Sequence, residues 1–257
     1  MKITILGTGT SCGVPVLGCH CPACSSTDPH DRRLRCSILV ETDSTRLLVD
    51  AGPDFREQML PQPFRRIDGI LITHSHYDHV GGLDDIRPYC QFGEINVYAD
   101  PVAREGMLQM LPYCFAEHRY PGVPKIGLHE IHAGRLLRLG DIDVMPIRVM
   151  HGQLPILGYR FGHSFAYITD MKTIDDDQLP LLQGVDVLMV NALRFDKPHH
   201  SHQLVDDAIG FARRVGARRT LFTHMCHDVG LHDEANSRLP QDIQLAYDGQ
   251  QLEIENW

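Results

Sequence analysis

The sequence predicts an α/β protein with more strand than helix, folded as one domain over residues 1–257. Three observations predict it. Short apolar runs rich in Val and Ile recur along the chain and are bounded by Gly, Pro or Asp, which is the pattern of strands. Only three segments carry helical spacing of apolar residues, and no internal repeat or low-complexity linker divides the chain.

In chain order, residues 1–6 form one short alternating strand centred on 3–6, without the long apolar core of a signal peptide. Strands follow at 37–41 and at 47–49, the latter running into Asp50. A helical pattern occupies 53–60, and the strand at 69–72 runs into Thr73 and His74. Residues 95–98 form a strand and 101–110 a helix. Pro121, Gly122, Pro124 and Gly127 then crowd the helix-poor stretch 113–131, which reads as a long loop or lid over the site. Strands resume at 142–150, 164–168 and 185–190. In the helix at 203–215, Leu204, Ala208, Phe211 and Ala212 share one face and Gly216 ends the run. A final strand at 220–222 leads into Thr223 and His224.

Lys plus Arg number 24 against 33 Asp plus Glu, a formal charge of −9, which disfavours broad binding to a phosphate backbone. No apolar stretch approaches the roughly 18 to 20 residues needed to span a bilayer, so the expectation is a cytoplasmic protein without membrane contact. The 16 His and 8 Cys point to metal binding. A chain of this length does not need disulfide staples, and reduced thiols are expected.

Five strand runs end in a potential ligand: Asp50, His74, His151, Asp170 and His224. Strands hold position rigidly while the loops after them open onto a cleft. The densest cluster is His74-Ser75-His76-Tyr77-Asp78-His79, followed by Gly81-Gly82. Three imidazoles and a carboxylate so close together are costly unless a cation uses them. On a strand-to-helix turn, His74 and His76 face one point while Asp78 and His79 reach a second, enough for two adjacent metals.

Residues 74–79 match the HxHxDH signature without a gap, and with the strand-end residues in order the whole chain resembles the metallo-β-lactamase superfamily of hydrolases. The resemblance implies a four-layer αββα sandwich with a binuclear site at one edge. It implies that His74, His76 and His151 bind one divalent ion, that Asp78, His79 and His224 bind the other, and that Asp170 bridges them. Asp50 would orient a ligand or water from behind.

A separate signal is Cys19-His20-Cys21-Pro22-Ala23-Cys24, three thiols suited to a tetrahedral zinc with one more ligand. His227, three residues past His224, is the candidate for that ligand, with Cys226 and His20 as competitors. The 7–13 loop Gly-Thr-Gly-Thr-Ser-Cys-Gly together with the thiol loop at 19–24 is similar to the PhnP-type phosphodiesterases. That resemblance implies one structural Zn2+ held by Cys19, Cys21, Cys24 and His227, and a pair of ions that hydrolyses cyclic phosphodiesters. A related loop occurs in the pyrroloquinoline quinone biosynthesis protein of the same superfamily, so the loop by itself does not fix the reaction.

Two cations roughly 3.5 to 4 Å apart hold a bridging hydroxide and stabilise both oxygens of an in-line displacement at phosphorus. The leaving oxygen needs a proton or a strong donor, and His199-His200-Ser201-His202 precedes the helix at 203–215. The resemblance aligns His202 with this role, His200 being two residues away; the expected catalytic residues are thus His202, Asp78 and Asp50. Arg32, Arg33 and Arg35 are candidates for a phosphate contact. Mn2+ or Zn2+ suits the His and carboxylate set, as does iron.

The expectation is therefore a metal-dependent phosphodiesterase for a small, cyclic-type phosphodiester, compatible with a homodimer. Its rivals are tRNase Z-like RNA processing and a non-hydrolytic role in cofactor biosynthesis on the same fold. The interval from His151 to Asp170 is too short for the RNA-binding arm that tRNase Z carries there.

Overall fold

The computed structural model describes residues 1–116, 118, 120–255 and 257. The first part of the chain comprises β1 (Lys2–Gly7), α1 (Pro22–Ser25), β2 (Ser37–Glu41), β3 (Arg46–Val49), α2 (Phe55–Met59), β4 (Gly69–Leu71) and α3 (Tyr77–Val80). A 3-10 segment (Leu83–Phe92) leads to β5 (Ile95–Ala99), α4 (Pro101–Met110), α5 (Pro112–Phe115) and β6 (Ile126–Glu130). There follow β7 (Leu137–Leu139), β8 (Ile142–His151), β9 (Leu154–Phe161), β10 (Phe165–Ile168) and β11 (Val187–Asn191). The chain then forms α6 (Val205–Val215), β12 (Arg219–Thr223), α7 (His232–Ser237), β13 (Ile243–Leu245) and β14 (Gln251–Glu253).

The strands form two seven-stranded sheets, ordered β14-β1-β2-β3-β4-β5-β6 and β13-β12-β11-β10-β9-β8-β7. Alternation along each strand builds the layers, because successive side chains face opposite sides of a sheet. Ile38 and Val40 of β2, and Leu47 and Val49 of β3, point between the sheets, where they meet Tyr159, Phe161, Phe165 and Tyr167. Leu39 and Leu48 point the other way and pack with Phe55, Val80, Ile86 and Met107 of the helical layer over the first sheet. On the outer face of the second sheet, Ala166, Ile168, Leu188 and Val190 meet Ala208, Phe211, Ala212 and Val215 of α6. This is the αββα sandwich that the resemblance implies.

Strand direction explains why the site has one location. β3, β4 and β5 are mutually parallel, as are β10, β11 and β12. β8 runs antiparallel to β9, and β9 antiparallel to β10, so β8 and β10 share a direction. The ends of β3, β4, β8, β10 and β12 therefore deliver the residues that follow them to a common edge, where open α/β sheets place their ligands.

Two readings of the sequence are corrected. The stretch 113–131 is not loop throughout: it contains part of α5 and the whole of β6, which pairs in parallel with β5. Gly127, a loop signal by composition, lies within that strand and is paired with Asn96 of β5. Tyr113 donates to Asp84 and the Lys125 N–H to Cys90 Sγ, so these contacts join the stretch to the 3-10 segment and not to the ligand edge. Glu117 and Arg119 of the expected lid lie outside the described residues. The second correction is β9, whose Pro155, Gly158 and Arg160 interrupt the apolar run; Gly158 is required because a Cβ there would meet Ile168 Cδ1 at 2.4 Å.

Candidate metal centre

After β4 the chain passes Ile72, Thr73 and His74, and His76 is the residue that precedes the single turn of α3. Asp78 and His79 project from that turn. The loop after β3 fits closely against it: the Ala51 N–H donates to the His79 carbonyl at 2.8 Å, and a Cβ on Gly52 would meet the Asp78 carbonyl oxygen at 2.0 Å. Glycine at 52 is thus what allows Asp78 to sit beside the end of β3.

Two sets of ligand atoms come together at the strand ends, one from His74, His76 and His151 and the other from Asp78, His79, Asp170 and His224, each set within 4.8 Å of one another. Asp170 stands 3.3 Å from His79 Nε2 and 3.0 Å from His224 Nε2, through different carboxylate oxygens. Asp78 lies 3.3 Å from His79 Nε2. His202 Nδ1 is 3.8 Å from Asp170 Oδ1, and its ring packs on those of His151 and His224.

Hydrogen bonds behind the centre select which ring nitrogens face it. His79 Nδ1 donates to Asp50 Oδ2 at 2.7 Å, and His151 Nδ1 donates to the Asp170 carbonyl at 2.8 Å. His74 Nδ1 lies 3.0 Å from Thr73 Oγ1, a hydroxyl that itself donates to Asp50 at 2.8 Å. Each of these rings thereby keeps its Nε2 lone pair for the centre, the arrangement that orients metal-binding histidines. Thr73 was not singled out by sequence: it lies inside a strand run and carries no distinctive spacing.

The donor set fits divalent cations. His79 Nε2 and both ring nitrogens of His224 are buried and meet no hydrogen-bond geometry, although carboxylate oxygens lie at 3.0 to 3.3 Å. His74 Nε2 and His76 Nδ1 approach to 2.9 Å, so the two rings turn nitrogens toward the same point. Atoms that crowd without pairing are what a cation would satisfy. Asp50, Asp170 and His224 moreover adopt left-handed backbone conformations, with φ of 61°, 57° and 54°. Such strain in non-glycine residues costs on the order of 1 to 3 kcal/mol each and persists where the surroundings impose it.

Electrostatics agree with a site that demands positive charge. Burial works against a charged His224, yet Asp170 and Asp78 outweigh it and raise its pKa to about 9. His79 is raised in the same way, burial being outweighed by Asp170, Asp50 and Asp78. His202 moves in the opposite direction, to about 2, through burial first and then the charge on His224. His202 is therefore a neutral imidazole, still an N–H donor. His200 is exposed and reaches His199 but neither Asp170 nor His224, so the structure brings His202 to the centre and leaves His200 outside.

Cys19, Cys21, Cys24 and His227 form a second cluster within 4.8 Å. His227 Nδ1 is 3.3 Å from both Cys19 Sγ and Cys21 Sγ. Burial opposes ionisation of Cys21, but hydrogen bonds from His227 and from the Cys24 N–H bring its pKa down to about 6. Neither Cys226 nor His20 joins this set. No disulfide links the described cysteines.

Two arginines considered for phosphate contact are engaged elsewhere. Arg33 is buried and donates to Thr8 Oγ1 and the Ala246 carbonyl, and Arg35 is paired with Asp54 at 2.9 Å. Arg32 remains exposed, 3.9 Å from Glu57. No helix among the described residues is long and apolar enough to cross a membrane.

Comparison with known proteins adds family context. A model described as the Beta-lactamase superfamily domain matches residues 45–225. An octanoyltransferase of Porphyromonas gingivalis is 41% identical over 256 residues, covering 99% of this chain and 52% of that protein, so this chain spans about half the length of that relative. Coenzyme PQQ synthesis protein B of Methylobacterium nodulans is 37% identical over 221 residues, 74% of this chain and 72% of that protein. Among solved structures, a diphosphatase from the PhnP family superposes with a TM-score of 0.90 at 41% identity, covering 99% of this chain and 98% of that one.

Proposed function

The chain belongs to the metallo-β-lactamase superfamily, and from that premise we propose that it is a metal-dependent hydrolase acting at phosphorus, on a small cyclic phosphodiester or on the phosphoanhydride of a diphosphate, with residues 1–257 acting as one domain. The observation that carries this reading is His202, a buried donor 3.8 Å from Asp170 and in ring contact with His151 and His224. A neutral N–H donor beside, but additional to, the ligand set serves a leaving oxygen by hydrogen-bonding the negative charge that develops on it. The likeness to a PhnP-family diphosphatase supports attack at phosphorus.

In this reading His74, His76 and His151 would hold one divalent ion and Asp78, His79 and His224 a second, with Asp170 a ligand shared by both. Bound ions supply Lewis acidity and lower the pKa of water to near neutrality. The chain's own residues do the rest. Asp50 and Thr73 fix the His79 and His74 rings, and His202 donates to the departing oxygen. The Cys19, Cys21, Cys24 and His227 cluster would hold a zinc, which would fasten the 19–24 loop to the segment after β12. Between His151 and Asp170 the chain forms only β9 and the short β10, which leaves no inserted arm for tRNA.

The test is turnover by protein reconstituted with Mn2+ or Zn2+ on a ribose cyclic phosphate, a dinucleoside diphosphate, a nitrophenyl phosphomonoester, a thioester and a precursor tRNA. Cleavage of the first or second is expected. Activity confined to the thioester or to the tRNA overturns the reading.

A further inference from the structure

We propose that Lys172 is a positioning residue that sets the separation of His202 from Asp170; the proposal rests on the role of His202 given above. Lys172 follows Asp170 by two residues, and its backbone N–H donates to the Met150 carbonyl at 2.7 Å, one residue before His151. Its ammonium donates to the His202 carbonyl at 3.1 Å and lies 3.8 Å from Asp207 Oδ2. Asp207 in turn accepts from the Leu204 N–H at 3.2 Å, at the start of α6. One side chain thus joins the loop bearing Asp170 to the backbone of His202 and to the first turn of the helix behind it.

The surroundings explain why this contact matters. Residues 196–198 and His200 are exposed, and just ahead of His202 the chain is held by His199, whose ring lies 4.8 Å from that of His202 and whose Nδ1 accepts from the Ser201 N–H at 3.3 Å. From Ser201 onward it is buried and fastened: the Ser201 carbonyl lies 3.2 Å from His151 Nδ1, and the Gln203 N–H donates to the Met171 carbonyl at 3.1 Å. The His202 carbonyl lies between these two points and takes its bond from Lys172. A charged donor makes a stronger hydrogen bond than a neutral one, whereas the longer approach to exposed Asp207 contributes little. Met171 is clamped by Asn191, whose Oδ1 accepts from the Met171 N–H at 2.7 Å and whose Nδ2 donates to its carbonyl at 2.9 Å. The base from which Lys172 reaches is therefore rigid, and rigidity is what makes a single long side chain an effective spacer.

The experiment compares metal-loaded wild type, Lys172→Met and Lys172→Arg on two substrates of one skeleton, one with an alkoxide and one with a nitrophenolate leaving group. Lys172→Met should lower kcat about tenfold on the alkoxide substrate, with KM within about twofold and a much smaller loss on the nitrophenolate, since misplacing a reacting group by about 1 Å costs this much or more. Lys172→Arg should restore most of the rate, and metal content should not change. Independently of turnover, the ring resonances of His202 in the zinc-loaded protein, assigned with His202→Ala, should shift or broaden in Lys172→Met. An unchanged His202 resonance, an equal loss on both substrates, or an arginine variant as impaired as the methionine one overturns the proposal. If the wild type turns over neither class of phosphodiester, the functional reading fails, while the His202 resonance still decides the role of Lys172.

Discussion

Asp50 Oδ2 and His79 Nδ1 stand 2.7 Å apart, both side chains buried, one from the end of β3 and the other from α3. The contact fixes the ring so that Nε2 turns toward Asp78 and Asp170. Asp50 also accepts from the Thr73 N–H and hydroxyl, each at 2.8 Å, so its carboxylate is fully used in orienting its neighbours.

Asp50→Asn retains one acceptor oxygen and replaces the other with a donor. Metal affinity should fall roughly 10- to 100-fold, the usual cost of losing a group that orients a ligand, as measured by competition with a chromophoric chelator. Unchanged affinity would show that His79 needs no such partner.

Asp170→Asn should abolish turnover and leave the melting temperature close to wild type, because Asn tolerates the φ of 57° found there. Kinetics and calorimetry on the same preparation check both halves. Near-normal turnover would remove Asp170 from between the two ions.

His202→Ala should slow an alkoxide-leaving substrate by about 10² to 10⁴ and a nitrophenolate substrate far less, since donation matters in proportion to the basicity of the leaving oxygen. His200→Ala should match wild type on both, His200 being exposed. Loss of metal from the His202 variant would instead place His202 among the ligands, alongside His151 and Asp170.

Cys21→Ser should release one zinc equivalent and lower the melting temperature, while turnover per folded molecule stays near wild type. Zinc content by chelation and thermal melts are the measurements. Intact stability with lost turnover would exchange the structural and catalytic labels of the two clusters.

Asp248 predicts a pH dependence away from the metals. Burial raises its pKa to about 6 from 3.8, against the hydrogen bonds from the Leu34 N–H and Thr8 and the charge of Arg33. Between those values the folded state holds a proton that the unfolded state has lost, so this contribution to stability is complete below pH 4 and disappears as pH rises through 6. Linkage bounds it at about 3 kcal/mol. Denaturant unfolding at pH 4 to 7 should show this slope in wild type and not in Asp248→Asn; equal slopes refute it.

Much of the centre was legible in sequence because its residues obey two simple rules. His74, His76, Asp78 and His79 are contiguous, and Asp50, His151, Asp170 and His224 end strand runs. His227 was legible by its offset from His224, which lets one short stretch after β12 serve both clusters. Thr73 and Lys172 were not legible, since their effect depends on one hydrogen bond across the fold. Arg33 and Arg35 bond to the Ala246 carbonyl and to Asp54, and a sequence does not display partners that are remote along the chain. β6 and β9 were missed because Gly127 in the one, and Pro155 and Gly158 in the other, break the apolar run and resemble turn residues.

The left-handed turns at Asp50, Asp170 and His224 set selection for stability against selection for chemistry. Each position would be more relaxed as Gly, and those substitutions discard the side chains that crowd the edge. A library screened only for resistance to heat should therefore enrich glycine or asparagine at Asp170 and His224, Asp50 being kept by its buried bonds to Thr73 and His79, and return well-folded, inert protein, whereas drift under selection for catalysis should leave all three untouched and compensate in the sheets.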